Sequence, residues 1–154
     1  MDRQELGEAI IAHTQLLYRV SCGLLRCEAD REDAVQSAIE KAWRQADRLR
    51  DAKKLRPWLI RILVNECRSL LRKKQRETPF DTLPDLPGPD DARALREALA
   101  SLPDELRLPL MLHYIEGLSV QEIASALGRP KGTILSRMHR GRGLLRDILG
   151  SEGF

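Results

Sequence analysis

The sequence of 154 residues is poor in the side chains that form metal centres, disulfide frameworks and aromatic cores. Its three cysteines, Cys22, Cys27 and Cys67, have neither CxxC spacing nor a nearby histidine, which argues against a metal site. We therefore expect small core or boundary residues, in a protein from a reducing compartment. Two Phe, two Tyr and two Trp also argue against an aromatic-rich β-sandwich.

Long apolar runs and catalytic constellations are missing as well. Without a signal peptide or a run of about 18 apolar residues, we expect a soluble, cytoplasmic protein that does not insert into membranes. No paired carboxylates, metal-binding cluster or activated serine accompany the basic segments, so an enzyme such as a recombinase is a weak hypothesis. We expect no catalytic residue, no metal and no cofactor.

Charge is unevenly distributed, although the net charge is only +3. Residues 55–76 contain seven basic residues and one acidic residue, 77–105 contain two basic and eight acidic residues, and 106–154 contain seven basic and four acidic residues. Two basic blocks separated by an acidic connector predict two separate contacts with a polyanion, which the connector itself would avoid.

Residues 116–146 show the pattern of a helix-turn-helix, around which the rest of the chain is organised. Ser119 and Glu122 have the spacing of a capping box, which predicts a helix that starts near Val120. Gly128 is typical of the left-handed residue that ends such a helix, and Pro130 suits the first position of a following helix. The sequence therefore predicts two short helices joined by a tight turn.

The second helix of this motif is predicted to carry two different faces. Three- and four-residue steps place one apolar row toward the core: Ile134, Met138, Gly141, Leu145 and Ile148. Another row combines short hydrogen-bond donors with guanidinium groups: Thr133, Ser136, Arg137 and Arg140. Because no acidic residue lies between Arg129 and Arg146, we expect this row, with Lys131, to bind DNA phosphates and base edges. The alternative is a basic, solvated helix end.

The most basic helix is predicted to start at Pro57. Its buried stripe consists of Leu59, Leu63 and Leu70, flanked by Ile62 and Cys67. Opposite this stripe, within an arc of about 60°, lie Arg61, Asn65, Arg68 and Arg72. We expect the arginines to hold a nucleic-acid backbone while Asn65 reads a base, unless its amide only caps neighbouring backbone. Trp58 borders this row, and either stacks on an unpaired base or packs between helices.

The segments before this helix are also predicted to be helical. Residues 4–26 have near-helical apolar spacing interrupted by Gly7 and Gly23, so one helix or two is possible. In the next helix, for which Asp30 is a plausible cap, paired apolar rows consist of Ala34, Val35, Ala38, Ile39, Ala42 and Trp43. Its more polar flank consists of Asp33, Gln36, Glu40 and Arg44, for which a solvated surface is the alternative.

Residues 77–91 contain four prolines and a glycine without helical periodicity, which predicts a flexible linker. A helical pattern resumes at Ala92 and stops at Pro103. It restarts with Asp104 and Glu105 in an acidic first turn. Pro109 falls inside the helix that begins near Asp104, where its missing backbone donor predicts a kink or a late start.

Three segments resemble, in the same order, the extracytoplasmic-function (ECF) group of the sigma-70 family of bacterial transcription initiation factors. REDAVQSAIEKAW is similar to the region 2 helix that binds the clamp of the largest polymerase subunit, which implies that Asp33, Gln36 and Glu40 contact core RNA polymerase. PWLIRILVNECRSLLRKKQR resembles the segment that opens and reads the minus-ten promoter element. LPDELRLPLMLHYIEGLSVQEIASALGRPKGTILSRMHRGRGLL resembles region 4, whose helix-turn-helix binds the minus-thirty-five element.

The resemblance covers nearly the whole chain and implies an all-α fold of two small domains. A region 2 helical bundle would occupy residues 1–76, a region 4 helix-turn-helix domain residues 92–154, and the linker residues 77–91. The implied function is a sigma factor whose partners are core RNA polymerase, promoter DNA and an anti-sigma factor. The alternative is a stand-alone helix-turn-helix regulator whose N-terminal helices dimerise.

The sequence departs from the family pattern at three positions. Ser69 stands where the family usually has an Asp, four residues after the Asn of the promoter-melting helix. Ile134 and Leu135 stand where the family usually has Val and Lys. We expect these changes to alter promoter preference or packing without removing a motif.

Overall fold

The computed structural model describes residues 2–77, 86 and 92–150, which contain helices and no strand. The helices within these ranges are α1 (Arg3–Ala12), α2 (Thr14–Cys22), α3 (Glu28–Arg44), α4 (Leu55–Glu77), α5 (Arg93–Ala100), α6 (Asp104–Tyr114), α7 (Val120–Leu127) and α8 (Lys131–Leu149). Two 3-10 turns, Ala46–Arg48 and Ala52–Lys54, connect α3 to α4. The all-α class is confirmed, whereas the predicted linker lies outside the described residues except at Glu77 and Leu86.

The predicted signals around α7 are confirmed. Ser119 Oγ accepts from the backbone N–H of Glu122 at 3.1 Å, and Glu122 Oε1 accepts from the N–H of Ser119 at 3.0 Å. Gly128 ends the helix with a φ of 63°, a conformation that glycine adopts without steric cost. Pro130 is the N-cap of α8, one residue before its predicted position.

Two predicted helix starts, those of α3 and α4, were wrong by a few residues, and the choice left open for residues 4–26 is resolved. Residues 4–26 form two helices, because α1 ends at Ala12 and α2 begins at Thr14. The N-cap of α3 is Cys27, so Asp30 lies in the first turn, where its carboxylate lies 2.6 Å from Lys74 Nζ. Helix α4 begins at Leu55, two residues before Pro57. A proline is tolerated there because the first four N–H groups of a helix lack an intrahelical partner.

Helix α6 contains Pro109 but runs from Asp104 to Tyr114, so the predicted late start was wrong. Pro109 is buried, and its neighbours Leu108 and Leu110 are 3% and 0% exposed. The free energy gained by burying this apolar segment offsets the cost of the backbone hydrogen bond that a proline inside a helix removes.

Among the N-terminal helices, α1–α4, α2 and α3 pack on α4, and α1 packs on α2 and α3. Helix α3 lies along α4, and α2 contacts both of them. Of the predicted α3 rows, Ala34, Val35, Ala38 and Ala42 are buried and Ile39 is partly buried. Trp43 is 38% exposed, with the guanidinium of Arg3 4.1 Å above its ring and Gly7 close beside it.

In the C-terminal helices, α5–α8, α8 packs on α5, α6 and α7. A Cβ at Gly141 would lie 2.5 Å from Leu110 Cδ1, so glycine permits the close approach of α6 and α8. The predicted core position of Ile148 was wrong, because its side chain is 52% exposed. Leu149, four residues after Leu145, packs on the core in its place, since the 3.6-residue period shifts the row. No helix among the described residues is both long and apolar enough to span a bilayer.

Candidate nucleic-acid interface

Helix α8 presents its polar row on a face beside its core contacts. Ile134, Met138 and Leu145 are buried, as predicted. Of the predicted reader residues, Lys131, Ser136 and Arg140 are exposed, whereas Thr133 and Arg137 are half-buried. An Arg137 Nη2 lies 3.9 Å from Glu105 Oε2, at the limit of an ion pair. The surface therefore combines free donors with at least two solvent-facing cations.

Helix α4 carries the other predicted row. Arg61, Asn65 and Arg72 are exposed and Arg68 is half-buried. Arg72 donates to Ser69 Oγ at 3.1 Å. Trp58 is partly buried and packs against the hydrophobic core. Of the two roles expected for Trp58, the structure thus favours packing between helices.

The buried part of α4 is wider than the sequence analysis predicted. Leu59, Leu63 and Cys67 are 0% exposed, as expected, and Ile62 and Leu70 are partly buried. Pro57, Ile60 and Val64 are buried as well, although they lie between this stripe and the basic row. The nearly unbroken apolar run PWLIRILV was the available signal that α4 packs on two sides.

The second buried side of α4 faces α7. Arg56 Nη2 lies 3.5 Å from Glu122 Oε2 near the start of α7, and a Cβ at Gly128, after its end, would lie 3.2 Å from Arg61 Nη2. These contacts bracket Pro57 and Ile60. The helix-turn-helix therefore packs directly on the N-terminal helices, beside their basic row.

An ion pair with a buried carboxylate and a partly exposed arginine also joins the two groups of helices. Arg19 Nε donates to Glu116 Oε2 at 3.0 Å, and its Nη2 donates to Glu116 Oε1 at 2.8 Å. The Glu116 side chain is 3% exposed, and its bidentate bond to Arg19 raises the pKa of the guanidinium. Arg56 Nη1 donates to the carbonyl of Glu116 at 3.3 Å. Sequence analysis missed this pair, because no local spacing links residues 97 positions apart.

Arg107 forms another contact that sequence analysis missed. Its guanidinium is buried, which lowers its pKa, and it is paired with Asp104. Its Nε donates to the carbonyl of Gly23 at 3.0 Å, and its Nη1 to that of Leu102 at 2.6 Å. A Cβ at Gly23 would lie 2.5 Å from Met111 Sδ, so α6 approaches the end of α2 closely. A single arginine within an apolar helix was the available sequence signal.

These contacts bring the two basic rows together. Burial lowers the pKa of Arg68, and the positive charges of Arg129, Arg137 and Arg72 lower it further. Arg68 and Arg72 belong to the row of α4, whereas Arg129 and Arg137 belong to the turn and to α8. The rows thus meet at a cleft that these four arginines line.

Helix α3 provides a separate surface. Asp33, Gln36 and Glu40 are exposed, as predicted for its polar flank. Beside them, Val35, Ile39 and Tyr18 contribute to an open groove of about 490 Å³. The Tyr18 hydroxyl donates to Glu28 Oε2 at 2.7 Å, which raises the pKa of Tyr18 to about 12. No group of three His, Cys, Asp or Glu residues in the described ranges has a metal-binding arrangement.

Comparison with known proteins matches both groups of helices to one family. Residues 9–77 match the model of "Sigma-70 region 2", and residues 92–145 match that of "Sigma-70, region 4". The RNA polymerase sigma factor SigV of Bacillus subtilis is 30% identical over 96% of this chain and 92% of its own length. The chain belongs to the ECF group of the sigma-70 family.

Other members of the group show similar identity. The chain is 34% identical to the ECF RNA polymerase sigma factor SigE of Mycolicibacterium smegmatis, over 94% of this chain and 62% of that protein's length. It is 32% identical to SigM of Mycobacterium tuberculosis, over 97% of this chain and 79% of that relative. Thus the chain spans less than two thirds of the length of SigE and most of the lengths of SigM and SigV.

Two solved structures share the fold. The sigma factor RpoE in complex with the anti-sigma factor NepR from Bartonella quintana superposes with a TM-score of 0.82 and 27% identity, over 97% of this chain and 99% of that one. CnrH, solved with the cytosolic domain of CnrY, gives a TM-score of 0.70 at 24% identity, over 98% of this chain and 91% of that one, and supports the fold alone.

Proposed function

We propose that this ECF-group protein is a sigma factor that binds core RNA polymerase, directs it to a promoter and takes part in DNA melting. The supporting observation is that two basic helical rows, on α4 and α8, lie within the segments that match region 2 and region 4. The polymerase supplies the catalytic centre, and the chain acts beside it in the cytoplasm. The domains we propose are residues 1–76 and 92–154.

Helix α8 is the proposed reader of the minus-thirty-five element. Arg140 and Arg137 reach base edges or phosphates, and an arginine can donate two hydrogen bonds to a guanine. Lys131, Thr133 and Ser136 supply further donors to the backbone, which fix the register of the helix on the duplex.

Helix α4 is the proposed reader of the minus-ten element. Arg61, Arg68 and Arg72 hold phosphates, and Asn65 offers a donor and an acceptor to an unstacked base. The exposed Asn65 side chain hydrogen-bonds to none of the described residues, which disfavours a backbone-capping role. Base capture of this kind offsets the few kcal/mol needed to unstack a nucleotide.

Helix α3 is the proposed site for core polymerase. Asp33, Gln36 and Glu40 supply polar contacts around an apolar groove, a combination typical of protein interfaces with an apolar centre and a polar rim. The groove is lined by acidic and amide side chains, whereas the two rows carry arginines. Polymerase and DNA therefore bind to different surfaces.

The two halves of the chain must separate for this function. Promoter elements centred near minus ten and minus thirty-five lie about 25 base pairs apart, or roughly 85 Å along B-form DNA. The packed rows of α4 and α8 cannot span that distance, so polymerase binding has to open the contacts of Arg19, Arg56 and Arg107. An anti-sigma factor, such as the one bound to the Bartonella RpoE, would act by preventing that opening.

Promoter-dependent transcription with purified core polymerase tests the proposal. The wild-type chain should give a discrete transcript, and the variant with Asp33→Ala and Gln36→Ala should bind core more weakly while it remains helical.

Asn65→Ala should bind core polymerase normally but melt duplex promoter less, as detected by permanganate footprinting, with a pre-melted template as control. Specific DNA binding without any effect on core would instead identify a stand-alone regulator.

A further inference from the structure

A cleft of about 420 Å³ lies where the row of α4 meets the turn and the start of α8. Four arginines line it: Arg68 and Arg72 from α4, Arg129 from the turn and Arg137 from α8. Donors from both halves of the chain therefore converge on one small volume.

The acidic residues of the cleft neutralise only part of this charge. Asp104 pairs with the buried Arg107, whose own positive charge it balances. Glu105 is 58% exposed in its side chain, and its carboxylate lies 3.9 Å from Arg137. The four cleft arginines therefore retain an excess of positive charge.

Arg68 shows this excess most directly. It is half-buried, and it has neither a hydrogen bond nor an ion pair with any residue in the described ranges. Burial and three neighbouring arginines lower the pKa of Arg68, and the negative charge of Asp104 opposes them. An arginine remains charged at neutral pH, so the closed arrangement carries an electrostatic cost that an anion would remove.

We propose that this cleft binds a compact multivalent phosphate anion, either free polyphosphate or the phosphate chain of a nucleotide, which holds the two halves of the chain together. Guanidinium groups bind phosphate oxygens through paired hydrogen bonds, and an anion with several oxygens can satisfy donors from both halves at once. A DNA duplex, whose major groove alone is about 12 Å wide, is too large for the closed cleft. The anion and promoter DNA therefore bind to different arrangements of the same arginines.

Calorimetric titration of the full chain with inorganic pyrophosphate, at fixed ionic strength and without Mg²⁺, tests this site. We expect one saturable site per chain, with affinity reduced roughly 10- to 100-fold by Arg68→Gln or Arg129→Gln, the range for lost hydrogen bonds to charged groups. Arg146→Gln is the matched control, because it removes an exposed arginine of α8 outside the cleft. Arg129 is itself exposed, so its variant should keep the wild-type helical circular dichroism.

Parallel titrations with triphosphate and ATP distinguish the two sources of phosphate. Tighter binding of ATP assigns the site to nucleotides, and equal binding assigns it to free polyphosphate, so both results support the site. Absent binding, or equal weakening by Arg146→Gln and Arg68→Gln, would overturn it, since the attraction would then be diffuse. These measurements need no polymerase, so the outcome is independent of the transcription assay.

Discussion

The two basic helices have similar compositions but different surroundings. Helix α8 has one packed side, formed by Ile134, Met138 and Leu145, and its polar row includes the exposed Arg140. Helix α4 is buried along two sides, and its row turns the half-buried Arg68 toward the arginines of the other half. A basic row on a helix therefore does not by itself show that DNA can reach it. In the closed chain, Arg140 of α8 is accessible, whereas Arg68 of α4 is guarded.

The largest expected effect distinguishes the second buried side of α4 from the open side of α8. Ile60 is 0% exposed, whereas Leu135 is 44% exposed. Ile60→Ala should lower the free energy of unfolding by about 2 to 5 kcal/mol, because it removes buried methyl groups and leaves a cavity. Leu135→Ala should change it by less than about 0.5 kcal/mol. Urea denaturation followed by circular dichroism measures both, and similar losses would contradict the comparison.

The next effect concerns the contact that holds the halves together. Glu116→Gln weakens the bidentate bond between the buried carboxylate and the partly exposed Arg19, and should destabilise the closed chain by about 1 to 2 kcal/mol, the lower part of the range for hydrogen bonds to charged groups. Its radius of gyration, measured by small-angle X-ray scattering, should increase.

The exposed pair of Arg93 and Glu97 provides the matched control for that experiment, since its side chains are 74% and 67% exposed. Glu97→Gln should have almost no effect, because exposed ion pairs contribute little. An unchanged radius of gyration for Glu116→Gln would show that this contact does not keep the halves together.

The fold was predictable wherever the signals are local. Ser119, Glu122 and Gly128 indicated the bounds of α7 from sequence, because a capping box and a left-handed glycine act within a few residues. The face of α8 was predictable up to Leu145, where the helical period shifted the last contact from Ile148 to Leu149. The stripe of α4 was predictable from Leu59 and Leu63.

The contacts between the halves were not predictable from local patterns. Arg19 and Glu116 look like ordinary surface residues until the tertiary fold brings them together, and Arg107 looks misplaced in an apolar helix until the carbonyl of Gly23 is known to lie beside it. The roles of the reader residues stay predictions, because exposure and charge show which side chains can bind DNA but not which bases they contact.

A third prediction compares DNA binding by the two rows in the free chain. Arg140→Ala should weaken binding to duplex DNA. It should also make the negative slope of the logarithm of the binding constant against the logarithm of salt concentration shallower by about 1, the effect of one lost phosphate contact. Arg68→Ala should change binding by the free chain less, since Arg68 lies in the cleft. In complex with core polymerase the two variants should both weaken promoter binding. Filter binding at several salt concentrations distinguishes these outcomes, and equal losses in the free chain would contradict guarding of Arg68.

The smallest expected effect concerns Glu122 at the start of α7. Its carboxylate accepts from the N-cap residue Ser119 and lies 3.5 Å from Arg56 Nη2. The hydrogen bond from the Ser119 N–H is the main cause that lowers the pKa of Glu122 from its usual 4.5. Because the folded pKa is below the unfolded one, the stabilisation is complete above the unfolded value and is lost as the pH falls through the folded value.

Glu122→Gln should therefore flatten the fall in unfolding free energy below about pH 4.5, while it retains much of the cap. Ser119→Ala should cost about 1 kcal/mol at neutral pH. Denaturation curves collected from pH 3 to 7, about the range in which carboxylates titrate, measure both effects. If the unfolding free energy of Glu122→Gln fell with decreasing pH as steeply as that of the wild type, this carboxylate would not contribute to the acid sensitivity of the fold.

The distance between α4 and α8 tests the central claim most directly. Fluorophores on Lys73→Cys and His139→Cys, two exposed positions outside the proposed sites, report it in a Cys27→Ser background, since Cys22 and Cys67 are buried. In the free chain we expect efficient energy transfer, as for two helices in one compact unit. With core polymerase and promoter DNA, transfer should fall to the level of elements separated by tens of ångströms, roughly the 85 Å between promoter elements. Efficient transfer in a complex that transcribes would contradict the opening of the chain.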